Sequence, residues 1–253
     1  MTALQVEPAP PPGALAFGPP RVRIPLILRR LRGSYGRPMH ALERDPLDSL
    51  IGTVLSQNTT DANSGQAFDQ LKDHFPNWES VARARASQIA AAIRSGGLGQ
   101  IKAGRIKRIL AQIEQDRGRL DLSFLRRLSL ERAREYLLGL PGVGPKTAAC
   151  VLLFSLKRPA FPVDTHVLRV SKRLGLIPPS TTMERAHAIF AELLRPSQML
   201  PLHLGLIRHG REVCVARRPR CSACVLFELC PRVGVTAARH GGRGGEDDAR
   251  SRG

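Results

Sequence analysis

Four cysteines lie close together near the end of the chain, and their spacing predicts a metal or cluster site. Six, two and five residues separate Cys214, Cys221, Cys224 and Cys230. Four thiolates in one short segment suit either a tetrahedral zinc ion or an iron–sulfur cluster. The chain has five cysteines, and the odd number and the clustering favour a ligand set over a disulfide framework. The fifth, Cys150, lies among small apolar residues, so we predict that it belongs to the core.

A second group of residues predicts a reactive amine beside an anion-binding turn. The segment Leu140–Ala148 reads LPGVGPKTA, and we expect it to join two helices, the first capped by Ser129 and the second beginning at Pro145. The glycines let the backbone turn tightly, and the free N–H groups at the start of the second helix can bind an anion. Lys146 lies in that first turn. Its amine could pair with a phosphate or act as a nucleophile, and the hairpin alone leaves both interpretations open.

A carboxylate follows the hairpin at Asp164. Pro162 blocks a helix at this point, and Asp164 stands directly before an apolar-periodic segment, where it makes a good helix N-cap. A capping carboxylate can still leave its second oxygen facing a cleft. There it can accept a proton from an amine or stabilise a positive charge that develops at a sugar carbon.

Helices are the elements predicted to position these groups. Apolar residues recur at intervals of three and four along the chain, and no period-two strand pattern of useful length is present. Glycine and proline clusters separate the apolar segments. We therefore predict an all-α protein of about nine or ten helices. Residues 1–20 are rich in Pro and Ala and residues 234–253 in Gly and charge, so both are predicted to be disordered tails.

The composition favours a polyanionic partner and excludes a membrane span. The 253 residues include 39 Lys and Arg against 21 Asp and Glu, which gives a net charge of +18. A folded chain this basic most often binds nucleic acid. No apolar run approaches the roughly 20 residues that cross a bilayer, and residues 1–20 lack the basic start of a signal peptide. We expect a cytoplasmic protein at the bacterial nucleoid, and a monomer, because no heptad pattern or self-complementary apolar stripe is evident.

Taken together, five motifs resemble those of the endonuclease III family, helix-hairpin-helix DNA glycosylases and AP lyases with an iron–sulfur cluster. In chain order they are LSQNTTD at Leu55–Asp61, GLGQIKAGRI at Gly97–Ile106, the hairpin at Leu140–Ala148, VDTHVLRV at Val163–Val170 and the cysteine loop. The resemblance covers about residues 25–233. It implies two helical domains that flank a DNA-binding groove. Residues 41–156 would form a six-helix domain with the helix-hairpin-helix at 129–156, and residues 21–40 and 157–233 would form a cluster domain.

The resemblance also implies a role for each site residue. Lys146 and Asp164 would be catalytic, and the four cysteines would hold one [4Fe-4S] cluster. Side chains that fill the gap left by a flipped base would be Gln57, Asn58, Leu98 and His166. Further contacts with DNA are expected from Leu140, Gly142, Val143, Gly144, Thr147, Arg169, Arg217 and Arg218.

The implied reaction is the repair of double-stranded DNA that contains damaged bases or abasic sites. The amine of Lys146 would attack C1′ while Asp164 supports the charge and the proton transfers, and a Schiff base would form as the base leaves. β-Elimination would then cut the strand. The resemblance implies oxidised or ring-saturated pyrimidines as substrates. Asn58 stands where the family often has Gln, and Gly99 where it commonly has Tyr, and both departures concern lesion preference. LSQNTTD and AFPVDT are also similar to the plant 5-methylcytosine glycosylases, which are far larger.

Two other functions compete with this interpretation. The first is a monofunctional glycosylase of the same superfamily. The adenine-specific branch generally lacks the lysine and carries a glutamate just before the loop, whereas Lys146 is present here and no carboxylate lies between Asp48 and Asp61. The second is a non-catalytic helix-hairpin-helix protein that binds DNA, and only a measurement of activity separates it from an enzyme.

Overall fold

The computed structural model describes residues 17–36 and 45–235. Across these residues the chain is helical and contains no β-strand, which confirms the all-α prediction. Eleven α-helices are present in this part of the chain, more than the nine or ten expected. Two of them are the short helices Trp78–Arg83 and Ala86–Ala92, which are separate because Ala84 and Arg85 adopt extended backbone angles. Most of the two predicted tails, and the predicted domain boundary after residue 40, lie outside the described residues.

The helices follow one another through short connections. In chain order they are α1 (Pro20–Tyr35), α2 (Pro46–Leu55), α3 (Asp61–His74), α4 (Trp78–Arg83), α5 (Ala86–Ala92), α6 (Gly99–Arg117), α7 (Leu130–Gly139), α8 (Pro145–Cys150), α9 (Thr165–Arg173), α10 (Met183–Leu193) and α11 (Pro196–Glu212). A π-helical turn, Val151–Ser155, continues α8. Within the described residues, no helix is both long and apolar enough to cross a membrane.

Local capping sets the helix starts that matter for the site. Ser129 caps α7 by accepting a hydrogen bond from the Arg132 N–H at 3.2 Å. Pro145 is the first residue of α8 and follows Gly144, whose backbone is extended. Asp164 caps α9. The three starts predicted from the sequence are therefore confirmed.

Two hydrophobic cores hold the helices. The hairpin lobe is formed by α2–α8, and its core includes Leu50, Ile106 and Leu137, each fully buried. The cysteine lobe is formed by α1 and α9–α11 with the loop to residue 230, and its core includes Ile27 and Phe190, also fully buried. Burial of each such side chain contributes roughly 1.5–3 kcal/mol, so each lobe has its own source of stability. The domain limits of 41–156 and 157–233 stay predictions.

The π-helical turn lies where the two cores meet. Val151 and Leu152 pack into the core of the hairpin lobe, whereas Leu153 packs into the core of the cysteine lobe. A π turn holds one more residue than an α turn and so changes the directions of the side chains around it. Consecutive residues of one short segment thus contribute to both lobes.

Candidate active site

The hairpin turn between α7 and α8 presents backbone at its tip. Gly142 has a φ of +76°, a left-handed conformation that favours glycine, and the turn is closed by the Val143 N–H donating to the Leu140 carbonyl at 3.1 Å. A Cβ at Gly142 would lie 2.6 Å from Nε of Arg105 on α6. Gly142 and Gly144 are exposed. The turn is therefore glycine-dependent twice over, through its conformation and through the close approach of Arg105.

Three other hairpin residues expected to contact DNA have buried side chains. Leu140 and Val143 are 3% and 6% exposed and belong to the core of the hairpin lobe, and Thr147 is 3% exposed. Their side chains are turned away from solvent, so these residues can offer a ligand only their backbone groups. The contacts with DNA themselves stay predictions.

Lys146 and Asp164 both act electrostatically on the buried thiol of Cys150. Lys146 is half-buried in the first turn of α8, and Cys150 lies one turn later with 5% exposure. Burial raises the pKa of the Cys150 thiol, the Lys146 ammonium lowers it, and the Asp164 carboxylate raises it. Cys150 therefore senses both groups, and it lies in the core as predicted, outside the cavity of the other four cysteines.

Asp164 uses one carboxylate oxygen to cap α9. Its Oδ1 accepts a hydrogen bond from the Val167 N–H at 2.7 Å. The carboxylate also acts on two cationic or titratable groups across the site, His203 and Arg211. The cap uses Oδ1 alone and leaves Oδ2 without a hydrogen bond to the helix, so capping and chemistry are compatible at this position.

His203 is a buried member of this site that the sequence did not reveal. It is 2% exposed on α11, and its Nδ1 donates to the Pro162 carbonyl at 2.9 Å. Burial lowers the pKa of His203 to about 4, with opposing effects from Asp164, which raises it, and Lys146, which lowers it. The imidazole is therefore neutral at physiological pH, with its hydrogen on Nδ1. A histidine between the leucines of α11 carries no pattern that could have identified it.

An ion pair between the lobes closes one side of the site. Arg211 of α11 donates to both carboxylate oxygens of Asp61, the first residue of α3, at 2.5 and 3.0 Å. The hydrogen bond from Arg211 lowers the pKa of Asp61 most, and Lys146 and His166 lower it further. Asp61 and Arg211 were not predicted as site residues, although Asp61 ends the LSQNTTD motif. Their pairing shows that the two lobes face each other beside Lys146.

The loops that carry Asn58 and Leu98 hold unusual backbone conformations. Asn58 has a φ of +56° and Leu98 a φ of +53°, and both side chains are exposed, Leu98 by 51%. Gln57 instead turns inward, where its Oε1 accepts from Arg105 and its Nε2 donates to the Thr147 hydroxyl at 3.4 Å. Of the two neighbours, Asn58 is thus the one presented to solvent, while Gln57 connects the loop to the hairpin helix.

The packing of α6 against α5 explains why residue 99 is a glycine. A Cβ there would lie 3.0 Å from the Ala90 carbonyl oxygen of α5. The start of α6 approaches α5 so closely that a side chain at this position would push the backbones apart. The glycine that stands in place of the family's common Tyr therefore lets α6 and α5 pack together.

His166 and Arg169 pack against the end of α11. Arg169 donates to the carbonyls of Gly210 at 2.8 Å and Cys214 at 3.1 Å, and to Nδ1 of His166 at 3.0 Å. These contacts commit much of the Arg169 guanidinium to the protein. A Cβ at Gly210 would lie 3.0 Å from Cβ and 3.2 Å from Nδ1 of the half-buried His166, so the absence of a side chain at Gly210 makes room for His166. Their roles in DNA binding stay predictions.

Four cysteines surround one cavity in the cysteine lobe. The cavity is lined by Cys214, Cys221, Cys224 and Cys230, and all four are free thiols. Among the described residues, no three His, Cys, Asp or Glu side chains come together around a point that could hold a single metal ion. Four thiols around a cavity fit a multi-atom iron–sulfur cluster better than a zinc ion, which needs all its ligands at about 2.3 Å from one centre.

Cationic and hydrogen-bonding groups support the cysteine cavity. Arg173 reaches the Cys214 sulfur at 3.4 Å and the carbonyls of Val215 and Ala216 at 2.7 and 2.9 Å, which fixes the loop that also carries the exposed Arg217 and Arg218. A positive charge beside thiolates offsets the negative charge of a bound cluster. Burial raises the pKa of Cys230 to about 11, so as a free thiol it keeps its proton, and it must release that proton to bind iron.

His209 links the cavity to α1. Its Nε2 lies 3.4 Å from the Cys224 sulfur and its Nδ1 lies 2.9 Å from the Tyr35 hydroxyl. Burial lowers the pKa of His209 to about 4, so the ring is neutral. A thiolate at Cys224 would accept from Nε2–H, which would leave Nδ1 to accept from the Tyr35 hydroxyl.

Comparison with known proteins gives two family matches. A family model described as HhH-GPD superfamily base excision DNA repair protein matches residues 51–196, more than half of the chain. A second, described as the iron-sulfur binding domain of endonuclease III, matches residues 214–230, the segment that contains the four cysteines. The two matches thus cover the hairpin, both candidate catalytic residues and the cysteine cavity.

Individual relatives extend these matches. The chain is 42% identical over 169 residues to a protein of Arabidopsis thaliana named as a DNA glycosylase, an alignment that covers 67% of the chain and 58% of that protein, less than two thirds of its length. It is 34% identical over 189 residues to endonuclease III of Sulfolobus acidocaldarius, covering 74% of the chain and 82% of that protein. A solved structure of a trapped endonuclease III–DNA covalent intermediate is similar with a TM-score of 0.72 at 29% identity, covering 84% of this chain and 96% of that one.

Proposed function

Since the chain belongs to the endonuclease III family of the HhH-GPD superfamily of base excision DNA repair proteins, we propose that it is both a DNA glycosylase and an AP lyase. The observation that carries this proposal is that Lys146, beside the hairpin turn, and Asp164 both act electrostatically on the same two buried side chains, Cys150 and His203. An amine next to a carboxylate, at a turn suited to bind a phosphate, is what covalent removal of a base requires.

The chemistry follows from these two groups. The uncharged amine of Lys146 attacks C1′ of the damaged nucleotide, the bond from C1′ to the base breaks, and the base leaves with that electron pair. The Asp164 carboxylate stabilises the positive charge at C1′ and accepts the proton that the attacking nitrogen loses. The departed base takes up a proton from water. The nitrogen lone pair then forms a C=N bond as the C1′–O4′ bond breaks, and O4′ receives the proton that Asp164 had accepted, so the product is a protonated Schiff base between Lys146 and the opened sugar. Removal of a C2′ proton then breaks the C3′–O3′ bond and cuts the strand 3′ to the lesion.

The surroundings of Lys146 suit this reaction. His203 is neutral because burial lowers its pKa to about 4, so it adds no positive charge beside the amine. Asp61 is engaged by Arg211, which leaves Asp164 as the carboxylate for proton transfer. The covalent complex in the similar endonuclease III structure supports a covalent route for this chain as well.

Base flipping is assigned to the two strained loops and to His166. Exposed Asn58 and Leu98 enter the duplex from the hairpin lobe, and His166 approaches from the cysteine lobe. The backbone N–H groups of the hairpin turn hold a phosphate without reading sequence. Oxidised or ring-saturated pyrimidines are the proposed lesions, and the protein acts as a monomer.

The chain binds a [4Fe-4S] cluster, and we assign its ligation to Cys214, Cys221, Cys224 and Cys230. The cluster supplies no atom to the proposed reaction. It holds the cysteine lobe together, and Arg173 and His209 orient its ligands. The purified protein is expected to be yellow-brown with broad absorbance near 400 nm, whereas a zinc protein would be colourless.

Borohydride trapping tests the proposal directly. Duplexes with an abasic site, a thymine glycol or a 5-methylcytosine are incubated with wild type, Lys146→Ala and Lys172→Ala. We expect wild type and Lys172→Ala to be trapped on the abasic and thymine glycol duplexes, and Lys146→Ala to bind DNA without trapping.

Each other outcome selects an alternative. Base release without trapping indicates a monofunctional glycosylase. Tight binding with neither release nor trapping indicates a non-catalytic DNA-binding protein. Trapping on the abasic duplex alone keeps the lyase and rejects the proposed lesions, and trapping on 5-methylcytosine moves the substrate to that base.

A further inference from the structure

A buried lysine joins the two loops that present Asn58 and Leu98. Lys102 lies in the first turn of α6 and is 2% exposed. Its Nζ donates to the Leu55 carbonyl at 2.7 Å and to the Gly96 carbonyl at 2.8 Å. Leu55 is the last residue of α2, directly before the first loop, and Gly96 is the last residue of the short turn before the second. One ammonium group therefore fastens the bases of both loops to each other.

Both loops need such support. Asn58 and Leu98 have positive φ values although neither is glycine, a conformation that costs free energy and persists only where the surroundings hold it. Their side chains are exposed, so their own packing does not supply that support. The Lys102 N–H also donates to the Leu98 carbonyl at 3.0 Å. Lys102 thus holds the second loop through its backbone and both loops through its side chain.

Burial of this ammonium is costly. Burial lowers the pKa of Lys102, and the nearby Arg105 guanidinium lowers it further. The acceptors of Lys102 are carbonyl oxygens, which compensate the loss of water less fully than a carboxylate would. A cation placed at this cost between two loops indicates that the geometry of the loops depends on it.

We propose that Lys102 is a positioning residue for base flipping. It fixes the distance between the Asn58 loop and the Leu98 loop, so that the two side chains enter the duplex together at one base pair. This inference rests on the proposed function and adds a residue that never touches the DNA. It predicts that loss of the ammonium harms the extrusion of a base more than the chemistry on a sugar from which the base has already been removed.

Lys102→Met removes the donors at nearly constant length, and Lys107→Met is its matched control. Lys107 lies on the same helix and also donates to two carbonyls, those of Ala82 in α4 and of Ala84 directly after it, and neither belongs to the two loops. The two variants lose the same kind of contact. Urea unfolding shows whether both are folded, and if Lys102→Met is not, Lys102→Gln and Lys107→Gln are compared in the same way.

Two readouts are measured for each variant. The first compares single-turnover base excision from a thymine glycol duplex with strand cleavage on a preformed abasic duplex. The second is the fluorescence of 2-aminopurine placed opposite a tetrahydrofuran abasic analogue. This signal reports the entry of the two side chains into the duplex and requires no chemical step. We expect Lys102→Met to slow excision at least about 10-fold relative to Lys107→Met and to lower the fluorescence change. Cleavage of the abasic duplex should change by less than about 3-fold. The reason is that unstacking a paired base costs a few kcal/mol, and an abasic site does not require this step.

Equal losses on the two duplexes, or equal losses in the two variants, would overturn the proposal and leave Lys102 as a general stabiliser of the fold. If wild type excises no tested lesion, the lesions assigned under the proposed function are wrong. The 2-aminopurine signal still decides on Lys102, since an unchanged signal in Lys102→Met refutes the positioning role and a reduced one supports it.

Discussion

Acid should destabilise this protein through His203, because the fold keeps its imidazole neutral. The ring is buried between two aromatic neighbours, with centroids 5.6 Å from Phe154 and 6.0 Å from Phe161, and its Nδ1 donates to the Pro162 carbonyl. Burial lowers the pKa of His203 from 6.5 to about 4. The unfolded chain therefore binds more protons than the folded one between these two values, and stability falls as the pH falls through that range.

The size of the effect follows from the shift. One pKa unit corresponds to about 1.36 kcal/mol, so the displacement of His203 from 6.5 to about 4 corresponds to about 3 kcal/mol when it is fully expressed. At pH 5 the unfolded histidine is almost fully protonated and the folded one is mostly neutral. Of the total, about 2 kcal/mol is lost between pH 7.5 and pH 5.

Urea unfolding of wild type and His203→Asn at pH 7.5, 6 and 5 measures this directly. Asparagine keeps a donor for the Pro162 carbonyl and cannot titrate. We expect the variant to be less stable at pH 7.5, because it loses packing against Phe154 and Phe161, and the gap to wild type to narrow by about 2 kcal/mol at pH 5. Both proteins carry the cluster, so its own response to acid cancels in the comparison.

Ile27→Val, a core variant of the same lobe without a titratable side chain, serves as the control, and its gap to wild type should stay constant across the three pH values. A gap for His203→Asn that is also constant between pH 7.5 and 5 would refute the neutral, buried state of His203.

Three further expectations concern the turn, the carboxylate and the charge. Gly142→Ala should destabilise the fold by about 1–2 kcal/mol and weaken DNA binding, because its φ is +76° and a Cβ meets Arg105, whereas Gly139→Ala, with no atom within 4 Å, should leave DNA binding unchanged in a fluorescence titration. Asp164→Asn keeps an acceptor for the Val167 N–H, so the free energy of unfolding should change by less than about 1 kcal/mol while single-turnover excision slows at least about 100-fold. If the variant excises at the wild-type rate, Asp164 is only a helix cap. With a net charge of +18, the affinity for duplex DNA should fall steeply between 50 and 200 mM salt, and a flat response would contradict binding through phosphates.

Features that depend on neighbouring residues could be predicted from the sequence. The starts of α7, α8 and α9 follow from Ser129, Pro145 and Asp164, whose side chains or rings act within one helical turn. The cavity of four cysteines also follows from local spacing, because all four lie within residues 214–230.

Features that depend on distant partners could not be predicted. His203 bonds a carbonyl 41 residues away, Lys102 one 47 residues away, and Arg211 a carboxylate 150 residues away. No local pattern encodes such pairs, since each depends on how the helices pack. Gly99 was identified as a departure from the family, but its reason, the close approach of the Ala90 carbonyl, is a property of the packing of α6 on α5.

The π-helical turn couples the stability of one lobe to that of the other. Because Val151 and Leu152 belong to one core and Leu153 to the other, neither core can come apart without withdrawing side chains from its neighbour. We therefore expect the lobes to unfold in one cooperative transition. A chain without its cluster would then expose the hairpin lobe to proteolysis as well as the cysteine lobe.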